Sequence, residues 1–373
     1  MQEDSFFEAI SNHYKNELPF VVYCKPFSFD IMACLQKDNT LYKINDFSES
    51  GFVFSPFDFR KDSILIPFSR SQQIKLSSEL NTHGLDKQYD IPVETNKEQH
   101  LQLVQKALDC IKNKEFEKLV VSREEIITIP AIDVIRTLKR LLINYNGAFV
   151  YCWFHPQVGL WLGASPESLI KIKGNQFETM ALAGTQPYSG TLDVKWSNKD
   201  REEQQIVSRY IKEVMEPYLN NIIISESKTV KAGKLIHLRT DISAQIPDGE
   251  HMINKLILQL HPTPAVCGMP KLKAIQFIID NESYNREFYT GFLGELNKEA
   301  KINERLNQEE SNEDLVENFD TTTDLYVNLR CMQIRDNQAR LFVGGGITIA
   351  SDPELEWEET VHKAKTMKSV IAF

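Results

Sequence analysis

An α+β fold with mostly antiparallel sheets is what this sequence predicts. Helix-like and strand-like segments alternate irregularly, without the steady β–α repeat of a parallel sheet. Long strand signals lie next to one another in the chain, as at 148–154 and 159–164. Hydrophobic residues make up 42% of the 373, enough to bury a sizeable core.

Residues 1–95 read as short strands and turns with aromatic-rich pieces such as Phe52 to Phe59, and carry no chemical motif. Thr95 and Glu98 suit a capping box for a helix with Leu101, Val104, Leu108 and Ile111 on one face. A strand follows at 118–123, then a helix at about 131–142 with Ile132, Ile135, Leu138 and Leu142 as its stripe. Two strands, 148–154 and 159–164, form a hairpin with His155-Pro156 at the turn. Strand signal continues from 168 to 183, a long helix covers about 199–218, and more strands fill 222–247. Helices begin near Glu250, after the Asp248-Gly249 turn, and after Pro270. The remainder reads as strands at 288–296, 324–334 and 339–343 and a final helix after Pro353. Residues 297–323, rich in Glu, Asn, Asp and Lys, read as an exposed acidic insertion.

A formal charge of −10 argues against nucleic acid as the main partner. It leaves room for a small anion held by a few local cations or a metal. Cys24, Cys34, Cys110, Cys152, Cys267 and Cys331 form neither a C-x-x-C pair nor a zinc pattern, and read as reduced core residues. The acidic start Met1-Gln2-Glu3-Asp4 is unlike a secretory signal, and no apolar run approaches the ~20 residues that cross a bilayer. The expectation is a cytoplasmic protein that binds neither membrane nor nucleic acid.

Several residues could carry chemistry. Glu203 shares the apolar face of its helix with Ile206, Val207, Tyr210, Ile211 and Val214, where a carboxylate needs a cation or hydrogen bonds. It also falls in the first turn, where acids favour the helix dipole. Glu359 and Lys363, four apart on the last helix, could equally form an ordinary surface ion pair. Arg330 interrupts the apolar run Leu325–Met332. It either has a partner, naturally a carboxylate, or points to water. Gly344-Gly345-Gly346 ends a strand and could bring backbone N–H groups close to an anion, or simply make a bend. Lys118 opens an apolar strand, where burial could tune it as a base, although most strand-end lysines are solvated.

These features occur in a familiar order. The segments Lys118-Leu119-Val120-Val121-Ser122-Arg123, Gly163-Ala164-Ser165-Pro166-Glu167, Leu182-Ala183-Gly184-Thr185 and His261–Gly268 belong to it, with Arg286-Glu287, Gly291 and Glu356-Trp357-Glu358-Glu359-Thr360. Together they resemble the chorismate-binding enzymes, which include isochorismate, salicylate, anthranilate and aminodeoxychorismate synthases. The resemblance runs from about residue 97 to the C-terminus, 97–373, and is loose over 1–95. It implies one large domain, with two stacked antiparallel sheets flanked by helices and a cleft between them.

The resemblance also implies roles. Glu203 and Glu359 would hold Mg²⁺, which binds the ring carboxylate of chorismate. Arg330 and backbone near Gly344 would hold the enolpyruvyl carboxylate, with Lys363 beside them. Gly184 and Thr185 would border the ring, and Ala265 and Val266 would pack on its reacting face. Gln204 stands where the family often has His, so Glu202 is an alternative metal ligand, although the helix stripe favours Glu203.

Within the family the nucleophile differs. Lys118 stands where ammonia-using members typically have Gln, which favours water. Ala183 stands where aminodeoxychorismate synthases usually place a nucleophilic Lys. The expected enzyme is therefore an isochorismate synthase, an isomerase with Lys118 as base and Glu167 as acid. Lys118 would have to titrate below about 10.4 and Glu167 above about 4.3. The expected state is a monomer without a glutaminase partner. Alternatives are a salicylate synthase (against which Ala265 leans), an aminating enzyme and a catalytically silent chorismate-binding subunit.

Overall fold

The computed structural model describes every residue except 78–79, 81–95, 130, 234, 248–251, 302–318 and 373. In chain order, the first part comprises α1 (Glu3–Lys15), β1 (Phe20–Cys24), β2 (Asp30–Gln36), β3 (Tyr42–Lys43), β4 (Gly51–Ser55), β5 (Ile64–Pro67) and β6 (Ser71–Ser77). Then come α2 (Lys97–Lys112), β7 (Lys118–Thr128), α3 (Val134–Asn144), β8 (Phe149–His155), β9 (Gly159–Ser165), β10 (Ser168–Lys173) and β11 (Gln176–Pro187). They are followed by α4 (Asn198–Met215), β12 (Asn220–Ile224), β13 (Lys228–Ala232), β14 (Leu235–Gln245), α5 (Ile253–Leu260), β15 (Gly268–Met269) and α6 (Lys271–Asn281). The chain closes with β16 (Phe292–Lys301), β17 (Phe319–Val327), β18 (Cys331–Arg335), β19 (Gln338–Ile347) and α7 (Pro353–Lys368).

The strands make two sheets, ordered β15-β7-β19-β18-β9-β8-β1-β2-β6 and β12-β14-β11-β10-β17-β16-β4-β5-β3, with β13 also on β14. The pairing is antiparallel, as in β7 with β19 and β16 with β17. Alternation along the strands explains the stacking. Val21 and Tyr23 of β1 and Phe149, Tyr151 and Trp153 of β8 face the second sheet. There Phe149 stacks on Tyr326 at 4.1 Å, and Trp153 meets Phe54 at 4.9 Å. Their neighbours Phe20, Val22, Val150 and Cys152 face the other way and pack with Phe6 of α1 and Leu138 of α3. On the far side, Val207 and Ile211 of α4 and Leu256 of α5 cover Phe177 and Ile242 of the second sheet. The sheets thus share one aromatic core, and the α+β sandwich expected from the sequence is what forms.

The strand signal at 168–183 is borne out as a hairpin, β10 and β11, turning at Gly174, whose φ is 59°. Three expectations need correction. Residues 1–95 begin with a helix, because Phe6, Phe7 and Ile10 fall on one face and bury against the first sheet. The continuous strand at 324–334 is two strands in different sheets, β17 in the second and β18 in the first, joined through Asn328-Leu329-Arg330. The 297–323 segment is entered by strand from both sides, since β16 and β17 stay paired out to Lys301 and Phe319. The rest of that segment, Thr95 of the expected capping box, and the Asp248-Gly249 turn with Glu250 lie outside the described residues. None of the described helices is long and apolar enough to cross a membrane.

Candidate active site

One cleft of about 720 Å³ opens between the two sheets, bordered by α4 and α7. Its lining includes Glu167, Gly184, Thr185, Glu203, Ala265, Val266, Arg330, Gly344, Glu359 and Lys363. Ten of the eleven residues singled out in the sequence therefore meet in one space. The eleventh, Lys118, stands one layer behind. It is fully buried, and its Nζ lies 3.0 Å from Glu203 Oε1. With no access to water, its Nζ takes the nearest carboxylate as partner, so it faces Glu203 and not the open space.

Helix α4 is aimed by a capping box in which Ser197 and Asp200 exchange hydrogen bonds with each other's backbone N–H. The cap puts Glu203 on the buried face. Glu202 is exposed and lines a separate cleft with Arg209, and Gln204 is spent on Thr240 Oγ1 at 2.5 Å. Burial alone would raise the Glu203 pKa, but Lys118, Lys199 and Lys363 outweigh it and hold the carboxyl below its ordinary value.

On α7, Glu359 pairs with Lys363 at 2.6 Å, and Lys363 also donates to Gly344 O at 2.8 Å. One turn earlier, Glu356 is buried and pairs with Lys199 of α4. Burial and the neighbouring Glu359 lift Glu356 to about 6, against the pull of Lys199. Sequence reasoning missed both Lys199 and Glu356. Their signal was spacing: Lys199 lies four before Glu203, and Glu356 three before Glu359.

The glycine run at the end of β19 is needed for close approach. A Cβ on Gly346 would lie 2.1 Å from Glu203 Oε1 and 2.9 Å from Lys118 Cε. A Cβ on Gly345 would lie 3.2 Å from Glu356 Oε2 and 3.8 Å from Glu359 Oε1. Three carboxylates therefore crowd against bare backbone.

Glu167 follows Pro166 in the link between β9 and β10, with its N–H donated to Ser165 Oγ at 3.3 Å. It is buried, and burial lifts its carboxyl to about 8 even though Lys118 and Lys363 pull the other way. It is a carboxylic acid that keeps its proton near neutrality.

Arg330 settles the alternative left open above, though not as expected. It is buried, yet its partners are neutral. Nη1 donates to Ala232 O at 2.9 Å and Nη2 to His237 Nε2 at 2.5 Å. Nδ1 of His237 lies 2.9 Å from Gly184 O, so the imidazole carries its proton there and stays neutral, well below its ordinary pKa through burial and the nearby Arg330. Burial lowers the Arg330 guanidinium to about 10. His237 gave no signal in a single sequence, because nothing in a strand marks which His meets a distant Arg.

The chain matches the family described as chorismate binding enzyme over residues 61–303, and a second family of the same description over 316–369. It is 33% identical to isochorismate synthase EntC of Escherichia coli K12 over 342 residues, spanning 84% of this chain and 79% of that protein. It is 31% identical to the vibriobactin-specific isochorismate synthase of Vibrio cholerae over 281 residues, 72% of this chain and 66% of the other. The fold is shared with the menaquinone-specific isochorismate synthase MenF of E. coli, with a TM-score of 0.72 at 19% identity, covering 94% and 88% of the two chains. It is also shared with anthranilate synthase component I of Streptococcus pneumoniae, with a TM-score of 0.64 at 15% identity, covering 94% and 90%. The resemblance seen in the motifs is thereby established: this chain belongs to the chorismate-binding enzyme family.

Proposed function

We propose that the protein is an isochorismate synthase, a Mg²⁺-dependent isomerase that adds water at C2 of chorismate and expels the C4 hydroxyl. The observation that carries this reading is Glu167 in the cleft wall, protonated up to about pH 8, with Lys118 fully buried one layer behind the same cleft against Glu203. Water addition needs both a base and an acid held at distinct protonation states.

The residues fit a divalent cation. Glu203 and Glu359 would hold it, with Glu356 beside them, and hard carboxylate oxygens are what Mg²⁺ takes. Glu356 Oε2 is buried and accepts no hydrogen bond, as a carboxylate oxygen facing a cation site would be. Among the described residues no ready-made cluster of three metal ligands is formed, and each carboxylate holds a lysine. When bound, Mg²⁺ would supply positive charge for the ring carboxylate.

The other carboxylate would lie against Arg330 and the backbone at Gly344. Ala265 and Val266 would cover the reacting face. Lys118 in its neutral form accepts a proton as the water oxygen bonds to C2. Glu167 gives its proton to the departing C4 hydroxyl, which leaves as water, and both ring double bonds shift. One water enters and one leaves, so the product is an isomer. No ammonia is consumed, and the reading requires no glutaminase partner.

The test is product identification from chorismate, with Mg²⁺ and with chelator. Isochorismate that depends on Mg²⁺, and its loss by about 10²-fold or more in Lys118→Gln, is the expected result. Full water addition by that variant removes Lys118 as base. Pyruvate release points instead to a salicylate synthase.

A further inference from the structure

Arg286 has no place in the chemistry above, yet the structure uses it fully. It is 3% exposed, and all five of its N–H donors have acceptors. Nε donates to Glu282 Oε2 at 2.7 Å, and Nη2 to Glu282 Oε1 at 2.5 Å and Val120 O at 2.9 Å. Nη1 donates to Val266 O at 2.9 Å and Thr290 Oγ1 at 3.2 Å. Three of these partners, Val120, Val266 and Thr290, belong to residues that line the cleft.

The reason is a gap in the sheet. Strand β7 starts at Lys118 and runs along the floor of the site, and its outer neighbour β15 is only two residues long. The ladder between them pairs Gly268 with Leu119 and Met269 with Lys118, and Val120 N–H reaches Cys267 O at 2.9 Å. Beyond that point, among the described residues, β7 has no strand to bond on this edge, while its other edge stays paired with β19. Its next outward-facing groups are the Val120 carbonyl and the Ser122 N–H. Arg286 takes the first, and Glu282 Oε1 takes the second at 2.8 Å and Ser122 Oγ at 2.7 Å. The buried ion pair therefore replaces the missing rungs of a sheet. It also fastens the Ala265-Val266 wall to the strand that carries the proposed base.

We propose that Arg286 is a positioning residue for the reaction, setting the distance between the Lys118 strand and the apolar wall over the substrate ring. This rests on the isochorismate synthase reading. Arg286 touches neither the Arg330 end nor the acids of α4 and α7. Its loss should therefore disturb the geometry of reaction more than the grip on substrate. Lysine keeps the charge but has three donors and no planar fork, so it cannot serve the five acceptors.

The experiment compares the wild-type chain, Arg286→Lys and a control, Glu295→Gln. Glu295 sits in a buried cluster between the sheets with Tyr23, Lys25 and Lys298 and does not line the cleft. Melting temperature, kcat and KM for chorismate with Mg²⁺ are measured for each. The expected result is a fall in kcat of about 10²-fold in Arg286→Lys, as for an ångström-scale misplacement, with KM within about threefold. The control, even at an equal loss of melting temperature, should keep its kcat. Equal kcat losses in the two variants, or a wild-type kcat in Arg286→Lys, overturn the inference. If Arg286→Lys fails to fold, Glu282→Gln takes its place, with a kcat fall of about tenfold expected and unchanged kcat overturning. A wild-type protein that makes no isochorismate is a different failure, seen without any variant, and removes the functional reading and this inference together.

Discussion

The two ends of the cleft treat charge in opposite ways. At the α4–α7 end every carboxylate has a lysine: Glu203 with Lys118, Glu356 with Lys199 and Glu359 with Lys363. At the other end a buried guanidinium, Arg330, rests on a carbonyl and a neutral imidazole. The first end is balanced within the protein. The second keeps a positive charge with no carboxylate partner among the described residues, in surroundings where that charge acts strongly. On the proposed reading, the difference separates an end that would meet an anion directly from one that would do so through a further cation.

Removing a carboxylate tests the first end most severely. Glu203→Gln should lower kcat/KM for chorismate by about 10³-fold, and should also abolish any rise in melting temperature on adding Mg²⁺. If Mg²⁺ still stabilises that variant as it does the native chain, the cation does not depend on Glu203.

The second end breaks differently. Arg330→Lys keeps a charge but loses the fork, and should raise KM by about 10- to 100-fold. A larger effect on kcat than on KM would place Arg330 in the proton-transfer machinery and erase the contrast.

The smallest expected effect is on pH, and it sharpens the comparison at its midpoint. Glu167 titrates at about 8 in the fold against an ordinary 4.5. As the proposed general acid it would work protonated, so kcat should fall as pH rises through about 8. The same shift bears on stability. A carboxyl whose folded pKa is raised gives its full contribution below 4.5 and loses it as pH climbs through 8. Glu167→Gln carries no such dependence. Its melting temperature should gain on the native chain between pH 5 and pH 9, by about 2–4 °C per kcal/mol. Parallel curves would show that Glu167 is ionised throughout.

Much of this was legible in the sequence, and the failures have physical causes. Helix α4 was readable because Glu203 keeps company with Ile206, Val207 and Tyr210 on one face, and its burial follows. Helix α7 was readable from Asp352-Pro353, where the Asp352 side chain accepts from the N–H groups of Glu354 and Leu355. Helix α1 went unread although Phe6 and Ile10 carry its period, because aromatic residues also suit strands. The break after β17 was invisible for a different reason. Leu325 to Met332 is one apolar run, and Arg330 bends at a φ of 47° without a glycine to mark it. Only tertiary bonds hold that corner: Asn328 accepts from Tyr151 Oη at 2.6 Å and donates to Phe288 O at 2.9 Å. The partners of Arg330 and Arg286 were hidden likewise, since His237 and Val120 are far away in the chain.

That corner has a consequence for how the site comes into being. Between Val327 and Cys331 the chain steps from one sheet to the other, and Arg330 is the last residue of the step. The guanidinium can reach His237, on the second sheet, only after the two halves of the sandwich have closed on each other. Neither sheet alone forms the cleft: Gly344 comes from the first and Gly184 from the second. Ligand affinity should therefore vanish in a single stroke on unfolding, and severed halves of the chain should bind nothing until they reassemble.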